Sequence, residues 1–394
     1  MAATTRFLHT ADWQLGKPFA GVEDAQKRAL LVQERFSVLE RIGRLARDEG
    51  AAFIVVAGDV FDSPRPMPPV IAQACDAIGR LGLPVYAIPG NHDHGGEGSL
   101  WGTEFFRAQA ADLAPNLTVL LSRQALERED AVLFPCPLLQ RHEAADPSGW
   151  LREAGLEDGR DPQRPRVVLA HGSVQDFDGF HDDEEADGGS RNRLDLGRLG
   201  LEAGRFDYVA LGDWHGTKRV EDWAWYAGTP EPDRFTKGGD HDPGNVLLVE
   251  AGRGGTPWVR VLRTAGIEWH ELDWDCAGDA GVAGLREQVE RCVGQRVNRD
   301  VLRLRVRGSI GFEAMTSLEA LMESWRARLI RLRLENEVVL APSPEELEAL
   351  TRREGDPVIA RVAARLSELA RGPEETAAVA RQALRELHRA CAAG

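Results

Sequence analysis

Up to about Val261, short apolar runs alternate with longer amphipathic stretches. Arg6 to Thr10 predicts a strand. Glu23 to Asp48 predicts a long helix, because Leu30, Leu31, Phe36, Leu39 and Ile42 fall near helical spacing. Phe53 to Ala57 is a continuous apolar run, the pattern of a strand buried on both faces. A helix over Pro69–Leu81 and strands over Val85–Ile88, Arg166–Ala170 and Tyr208–Leu211 follow. From Tyr226 to Leu272 the pattern is strand-like without long helices. Trp225–Ala227, Asn245–Val249 and Trp258–Leu262 are expected as antiparallel strands that finish the core. Strands alternating with helices predict a layered α/β core. Beyond Asp275, Val301–Arg307 and Leu332–Leu340, with a helix over Ser317–Ala327 between them, predict a small α/β module. Two helices, Pro344–Leu369 and Pro373–Cys391, are expected after Ser343, with Gly372 as a stop and Pro373 as a start. The expected domains are therefore 1–275, 276–342 and 343–394.

Each buried strand is followed at once by polar residues. These are Asp12, Asp59, Asn91-His92, His171 and Asp213-Trp214-His215. In open α/β sheets, ligands sit outside the carboxyl ends of the strands. A lone Asp in that place is ordinarily a helix cap. Five loops, each led by a side chain able to bind metal, are poorly explained as five caps.

Composition narrows the possibilities. The 394 residues include 48 basic and 63 acidic ones, a net charge of −15. From Cys276 onward, 19 Arg stand against 18 Asp and Glu, so residues 1–275 carry −16. Such a chain is not a simple DNA-coating protein, since non-specific affinity comes from basic residues meeting phosphates. An enzyme whose acids hold cations remains open. Five cysteines, odd in number and without a CxxC pair, argue against zinc ribbons and disulfide scaffolds. With no apolar run of membrane-spanning length and no signal-like N-terminus, a cytoplasmic location without a membrane is expected.

The five loops read His9-Thr10-Ala11-Asp12-Trp13-Gln14-Leu15-Gly16, Gly58-Asp59-Val60-Phe61-Asp62, Gly90-Asn91-His92-Asp93, Ala170-His171-Gly172 and Gly212-Asp213-Trp214-His215. Together they resemble the calcineurin-like metallophosphoesterases, whose pattern is D-x-H, G-D, G-N-H-D/E, a lone H, and G-H-x-H. Within that group the HTAD-x-x-LG opening, the GDVFD motif and Tyr226-Ala227-Gly228-Thr229-Pro230-Glu231 look most like the SbcD and MRE-type nuclease subunits. The resemblance spans residues 9 to 232. It implies a two-sheet α/β sandwich flanked by helices, with a small α/β capping domain and a C-terminal helical tail. It also implies two divalent ions, manganese with magnesium as the alternative. The first ion would be held by Asp12, Gln14, Asp59 and His215. The second would be held by Asp59 as bridge, Asn91, His171 and Asp213. His92 is the candidate catalytic acid, and Asp93 the candidate partner that orients it. Gln14 and Asp213 depart from the pattern, which has His at both places. Both are still oxygen ligands, and oxygen-rich sets suit manganese or magnesium.

Three functions compete. The first is a metal-dependent DNA nuclease subunit of a double-strand-break repair complex, acting on DNA ends or hairpins beside an SMC-like, SbcC-like ATPase, with a homodimer left open. The second is a phosphoesterase on small phosphodiesters or phosphoproteins. The third is a scaffold with a decayed site. The C-terminal ~120 residues favour the first, because a minimal phosphoesterase has no need of them. Several residues carry a blander alternative. Asp93 could equally be an exposed loop acid. Trp13 and Trp214 could stack on bases but better suit packing. His181-Asp182-Asp183-Glu184-Glu185 suits a solvated acidic loop, His9 a buried structural histidine, and His94 is undecided. Arg303, Arg305 and Arg307 share a strand face and could meet phosphates or neighbouring acids.

Overall fold

The computed structural model describes residues 4–153, 161–174, 192–199, 205–235, 241–353 and 355–392. They form two compact units, Met1–Glu268 and Trp269–Gly394. The first begins with β1 (Thr4–Thr10), α1 (Ala25–Asp48), β2 (Phe53–Ala57), α2 (Pro68–Gly79) and β3 (Val85–Ile88). Next come α3 (Glu104–Leu113), β4 (Leu117–Val119), β5 (Leu126–Glu127), β6 (Val132–Cys136), β7 (Arg166–His171), β8 (Ser173–Val174) and β9 (Arg193–Leu194). It ends with β10 (Tyr208–Gly212), β11 (Lys218–Glu221), β12 (Ala224–Tyr226), β13 (Asn245–Gly252) and β14 (Trp258–Arg263). The acidic run 181–185 lies outside the described residues.

Two six-stranded sheets build this unit, in the orders β14-β13-β1-β2-β3-β4 and β11-β12-β10-β7-β6-β5. Strands β1 to β4 are parallel, as are β6, β7, β10 and β12. Alternate residues face alternate ways along a strand. Phe7, Phe53, Val55, Leu133, Val167, Leu169, Tyr208 and Leu247 therefore meet in one core between the sheets. On the outer face of the first sheet, Leu8, Ile54, Val56 and Val85 pack with Phe36, Leu39, Ile42, Ala74 and Ile78 of α1 and α2. Burial on both faces is why these strands read as unbroken apolar runs.

Helix α1 begins at Ala25, not Glu23, because the Asp24 carboxylate caps it by accepting from the main-chain N–H groups of Gln26 and Lys27 at 2.8 and 3.1 Å. Strand β12 corrects the sequence reading. It runs parallel to β10, and only its other neighbour, β11, is antiparallel. The short β11–β12 hairpin reverses the chain twice after β10, and apolar spacing carries no information on direction.

The second unit comprises β15 (Glu268–Ala277), α4 (Ala280–Val293), β16 (Asp300–Ile310), α5 (Phe312–Arg328) and β17 (Arg331–Leu340). The helices α6 (Pro344–Thr351), α7 (Pro357–Leu369) and α8 (Glu374–Ala392) follow. Its sheet, ordered β15-β16-β17, packs Leu302, Leu304 and Val306 against Leu285 and Val289 of α4 and Leu318 and Trp325 of α5. Helix α4 has no counterpart in the sequence reading, although Val282, Leu285, Val289 and Val293 mark a helical stripe. The three arginines of β16 meet acids: Arg303 pairs with Glu271 at 3.2 Å, Arg305 with Glu335 at 2.8 Å and Arg307 with Asp275 at 3.7 Å.

Among its described residues the tail holds three helices rather than two. Asp356 caps a new helix by accepting from Ile359 N–H, and Pro357 occupies its first turn. The single stretch expected over Pro344–Leu369 breaks there, since proline cannot continue the preceding helix. Leu350, Ala363 and Leu384 cover Phe312 of α5. Glu346 joins the two parts, with Oε1 accepting from Phe312 N–H at 2.8 Å and Oε2 from Ser343 N–H at 2.9 Å. Glu346→Ala is expected to cost about 1–2 kcal/mol by loss of these caps. Faster amide exchange at Phe312 and Glu313 measures it. Among the described residues no helix is long and apolar enough to cross a membrane.

Candidate metal centre

The carboxyl ends of β1, β2, β3, β7 and β10 deliver the five loops to one place. The first two loops extend the sheet: Asp12 N–H donates to Gly58 O at 3.1 Å, Gln14 N–H to Asp59 O at 2.9 Å and Leu15 N–H to Val60 O at 2.9 Å. The turn reverses sharply enough that Asp12, Gln14, Asp59 and Asp213 have φ of 52°, 42°, 53° and 100°. L residues take up left-handed backbone at a cost of roughly 1–2 kcal/mol each, less for Asp.

Asp12, Asp59 and His171, all buried, bring ligand atoms within 4.8 Å of one another. His171 Nδ1 donates to Ala57 O at 2.8 Å, which turns Nε2 toward the carboxylates. That Nε2 lies 2.9 Å from Asn91 Oδ1, 3.6 Å from Asp59 Oδ1 and 3.7 Å from Asp213 Oδ1. Asp213 is tied in place by its N–H to Asp12 Oδ1 at 3.2 Å and by Ser173 Oγ–H to its Oδ2 at 3.0 Å. Burial, with the charges of Asp59 and Asp213 alongside, pushes the Asp12 carboxyl well above the ordinary range. Burial would lower His171, but Asp59 and Asp12 outweigh it and raise its pKa to about 9. Buried anions this close need a cation, and this set of carboxylate, carboxamide and imidazole donors fits a divalent one.

The backbone leaves no room for side chains beside these ligands. A Cβ on Gly58 would lie 2.1 Å from His171 Nδ1, and one on Gly90 would lie 2.1 Å from Asp59 Oδ1. Gly90→Ala is expected to displace the Asp59 carboxylate and weaken metal binding by ~10–100-fold, the range for changes that disturb ligand positioning. Manganese titration of the folded variant is the measurement.

His92 stands beside the cluster. Its N–H donates to Asp59 Oδ1 at 2.9 Å, and its ring Nδ1 to Asp62 O at 2.8 Å. Burial opposes the charged ring, yet Asp59 and the Asp62 carbonyl outweigh burial and hold its pKa above the usual value. Asp93 departs from both expectations. It is fully buried, and it does not orient the His92 ring, which Asp62 O holds. Its carboxylate accepts from Phe61 N–H at 3.0 Å and Gly90 N–H at 2.8 Å, pinning two metal loops together.

At the other side, His215 Nδ1 donates to Asp233 Oδ1 at 3.1 Å. Gln14 reaches His215, but with Nε2 toward the ring at 3.2 Å, while its Oε1 accepts from Lys17 Nζ at 3.2 Å. The expected oxygen ligand is thus turned away from His215. His9 is a buried structural residue: burial lowers its pKa to about 3, and Nδ1 lies 2.9 Å from Tyr208 Oη. Trp13 is buried and donates to Thr10 Oγ1 at 2.9 Å, and Trp214 packs against His241 with ring centroids 4.9 Å apart. His94 is half-buried at the edge of the third loop.

Sequence reasoning passed over Lys17, Arg35, Asp62 and Asp233. Arg35 is buried, and its guanidinium donates to Trp13 O at 2.8 Å, Asp12 O at 3.0 Å, Glu231 O at 2.8 Å and Thr229 Oγ1 at 3.0 Å. A charged residue on the Leu31–Leu39–Ile42 stripe was the available signal. Its contacts also give Thr229-Pro230-Glu231 a structural duty: this segment braces the first loop.

Among solved structures, the chain is similar to the TT1561 protein of Thermus thermophilus at 13% identity and a TM-score of 0.37, covering 66% of this chain and 99% of that one. It is similar to a dimetal phosphatase from Danio rerio at 13% identity and a TM-score of 0.34, covering 65% and 98%. A likeness this distant carries no functional inference. The sequence of residues 5–217 matches the family described as calcineurin-like phosphoesterase. That family uses a dinuclear metal site, and the buried Asp12–Asp59–His171 cluster fits it. The match covers more than half of the chain, which therefore belongs to the calcineurin-like phosphoesterases, hydrolases acting on phosphate esters.

Proposed function

We propose that this phosphoesterase is a DNA nuclease subunit of the SbcD and MRE type, a cytoplasmic protein working on DNA ends or hairpins beside an SMC-like ATPase. The observation that carries this reading is the likeness of His9–Gly16 and Gly58–Asp62 to that group's motifs, in the two loops that present Asp12 and Asp59. Exposed Val358 and Val362 on α7 and Val379 on α8 support a docking role for the tail.

In this proposal Asp12, Asp59, Asn91, His171 and Asp213 hold a divalent ion, manganese by preference, because four of the five donors are oxygens. Divalent ions in such a site neutralise the phosphate and acidify the attacking water. The chain's own residues do the rest. Asp59 fixes the His92 main chain, and Asp62 O fixes the ring through Nδ1, leaving Nε2 to give a proton to the leaving oxygen. Lys17 keeps positive charge at the edge of the site.

A digestion assay with manganese tests the proposal, comparing single-stranded, blunt and hairpin DNA with and without the ATPase. Cleavage of DNA supports it. Turnover of a chromogenic phosphodiester without DNA cleavage would move the assignment to small substrates. Turnover of neither would favour a scaffold.

A further inference from the structure

The Gln14–His215 side of the centre is closed by the protein's own hydrogen bonds. His215 Nδ1 is committed to Asp233, so Nε2 carries the lone pair. Gln14 Nε2 donates to that lone pair at 3.2 Å, and the carboxamide is held this way round because Lys17 Nζ takes its oxygen. Lys17 is in turn held by Asp233 at 3.3 Å and Asp62 at 3.6 Å, with its side chain only 10% exposed. An ion entering here would have to break the amide–imidazole bond and reverse the carboxamide. It would then lie one carboxamide from a buried ammonium, and like charges repel strongly where water is scarce. None of this obstructs the Asp12–Asp59–His171 side, where the His171 ring and several oxygens already converge.

We propose that this chain retains one divalent ion, on Asp12, Asp59, Asn91, His171 and Asp213, and that Lys17, acting through Gln14, takes the place of the second. The ammonium stands one carboxamide behind Gln14, paired with Asp233 and Asp62, and keeps a positive charge beside the position that the D-x-H pattern gives a dication. Lys17 is thus a positioning and charge-supplying residue of the site. The inference rests on the phosphoesterase reading for the first ion, and it narrows what that site holds.

Metal counting tests it without reference to activity. The full chain is stripped with chelator, loaded with manganese, desalted and analysed for metal per protein. Wild type should retain one ion per chain. His171→Ala should retain none. Gln14→His combined with Lys17→Met supplies an imidazole and removes the ammonium, and should retain two. Two ions in wild type would overturn the proposal while leaving the phosphoesterase reading intact. A double variant that folds with a normal melting transition and still retains one ion would overturn the role of Lys17 and Gln14. Absence of any ion in wild type would instead defeat the metal-site reading itself.

Discussion

His92→Ala should keep its metal and lose turnover by ~10²-fold or more, the usual weight of a positioned acid or base. The two halves of this expectation come from different atoms of one residue. The bond that steadies Asp59 is made by the main-chain N–H of His92, at 2.9 Å, and alanine retains it. The ring lies outside the Asp12–Asp59–His171 cluster and is anchored by the Asp62 carbonyl. Removing the ring therefore takes away a proton donor without taking away a ligand. Elemental analysis beside kcat on a chromogenic phosphodiester decides it. If metal leaves together with activity, His92 is a ligand and its assignment as acid is wrong.

The second large effect is expected far from any reacting atom. Arg35→Met should destabilise the first unit by about 3–5 kcal/mol, the range for stripping one partner from a buried charged network. Four hydrogen bonds disappear at once, and the carbonyls of Asp12 and Trp13 lose their donor in the core, while Glu231 O keeps only Thr229 Oγ1–H. Buried carbonyls without partners keep the full desolvation penalty. Arg35→Lys should recover little, because one ammonium cannot span a fork that reaches four acceptors on two chain segments. The urea midpoint reports stability, and manganese affinity should fall in parallel as the Asp12 loop loosens. A wild-type midpoint for Arg35→Met would show the brace to be idle.

The residues explain what can be read from the chain and what cannot. Strand β2 is legible to the residue because both its faces are buried, and β3 because only Tyr86 breaks its burial and the ends stay apolar. The ligand loops are legible because each follows such a strand directly. Direction is not, as β12 shows, since apolar spacing is the same for parallel and antiparallel neighbours. The break between α6 and α7 is written in Gly355-Asp356-Pro357, but the continuing apolar spacing on either side masks it. Supporting charges are hidden for a different reason. Lys17, Asp62 and Asp233 come from distant or irregular segments, and only folding brings them together. Asp93 sits beside His92 in sequence, yet its carboxylate turns toward Phe61 and Gly90, a direction that adjacency does not disclose.

The left-handed backbone at Asp12, Gln14, Asp59 and Asp213 stores torsional energy beside the ligands. Glycine at any of these positions would relieve torsional strain. Gln14 carries the largest cost of the four, because glutamine lacks the tolerance that aspartate has for this conformation. Its side chain, hydrogen-bonded between Lys17 and His215, is what restrains that backbone, so Gln14→Gly would trade the restraint for a looser first loop.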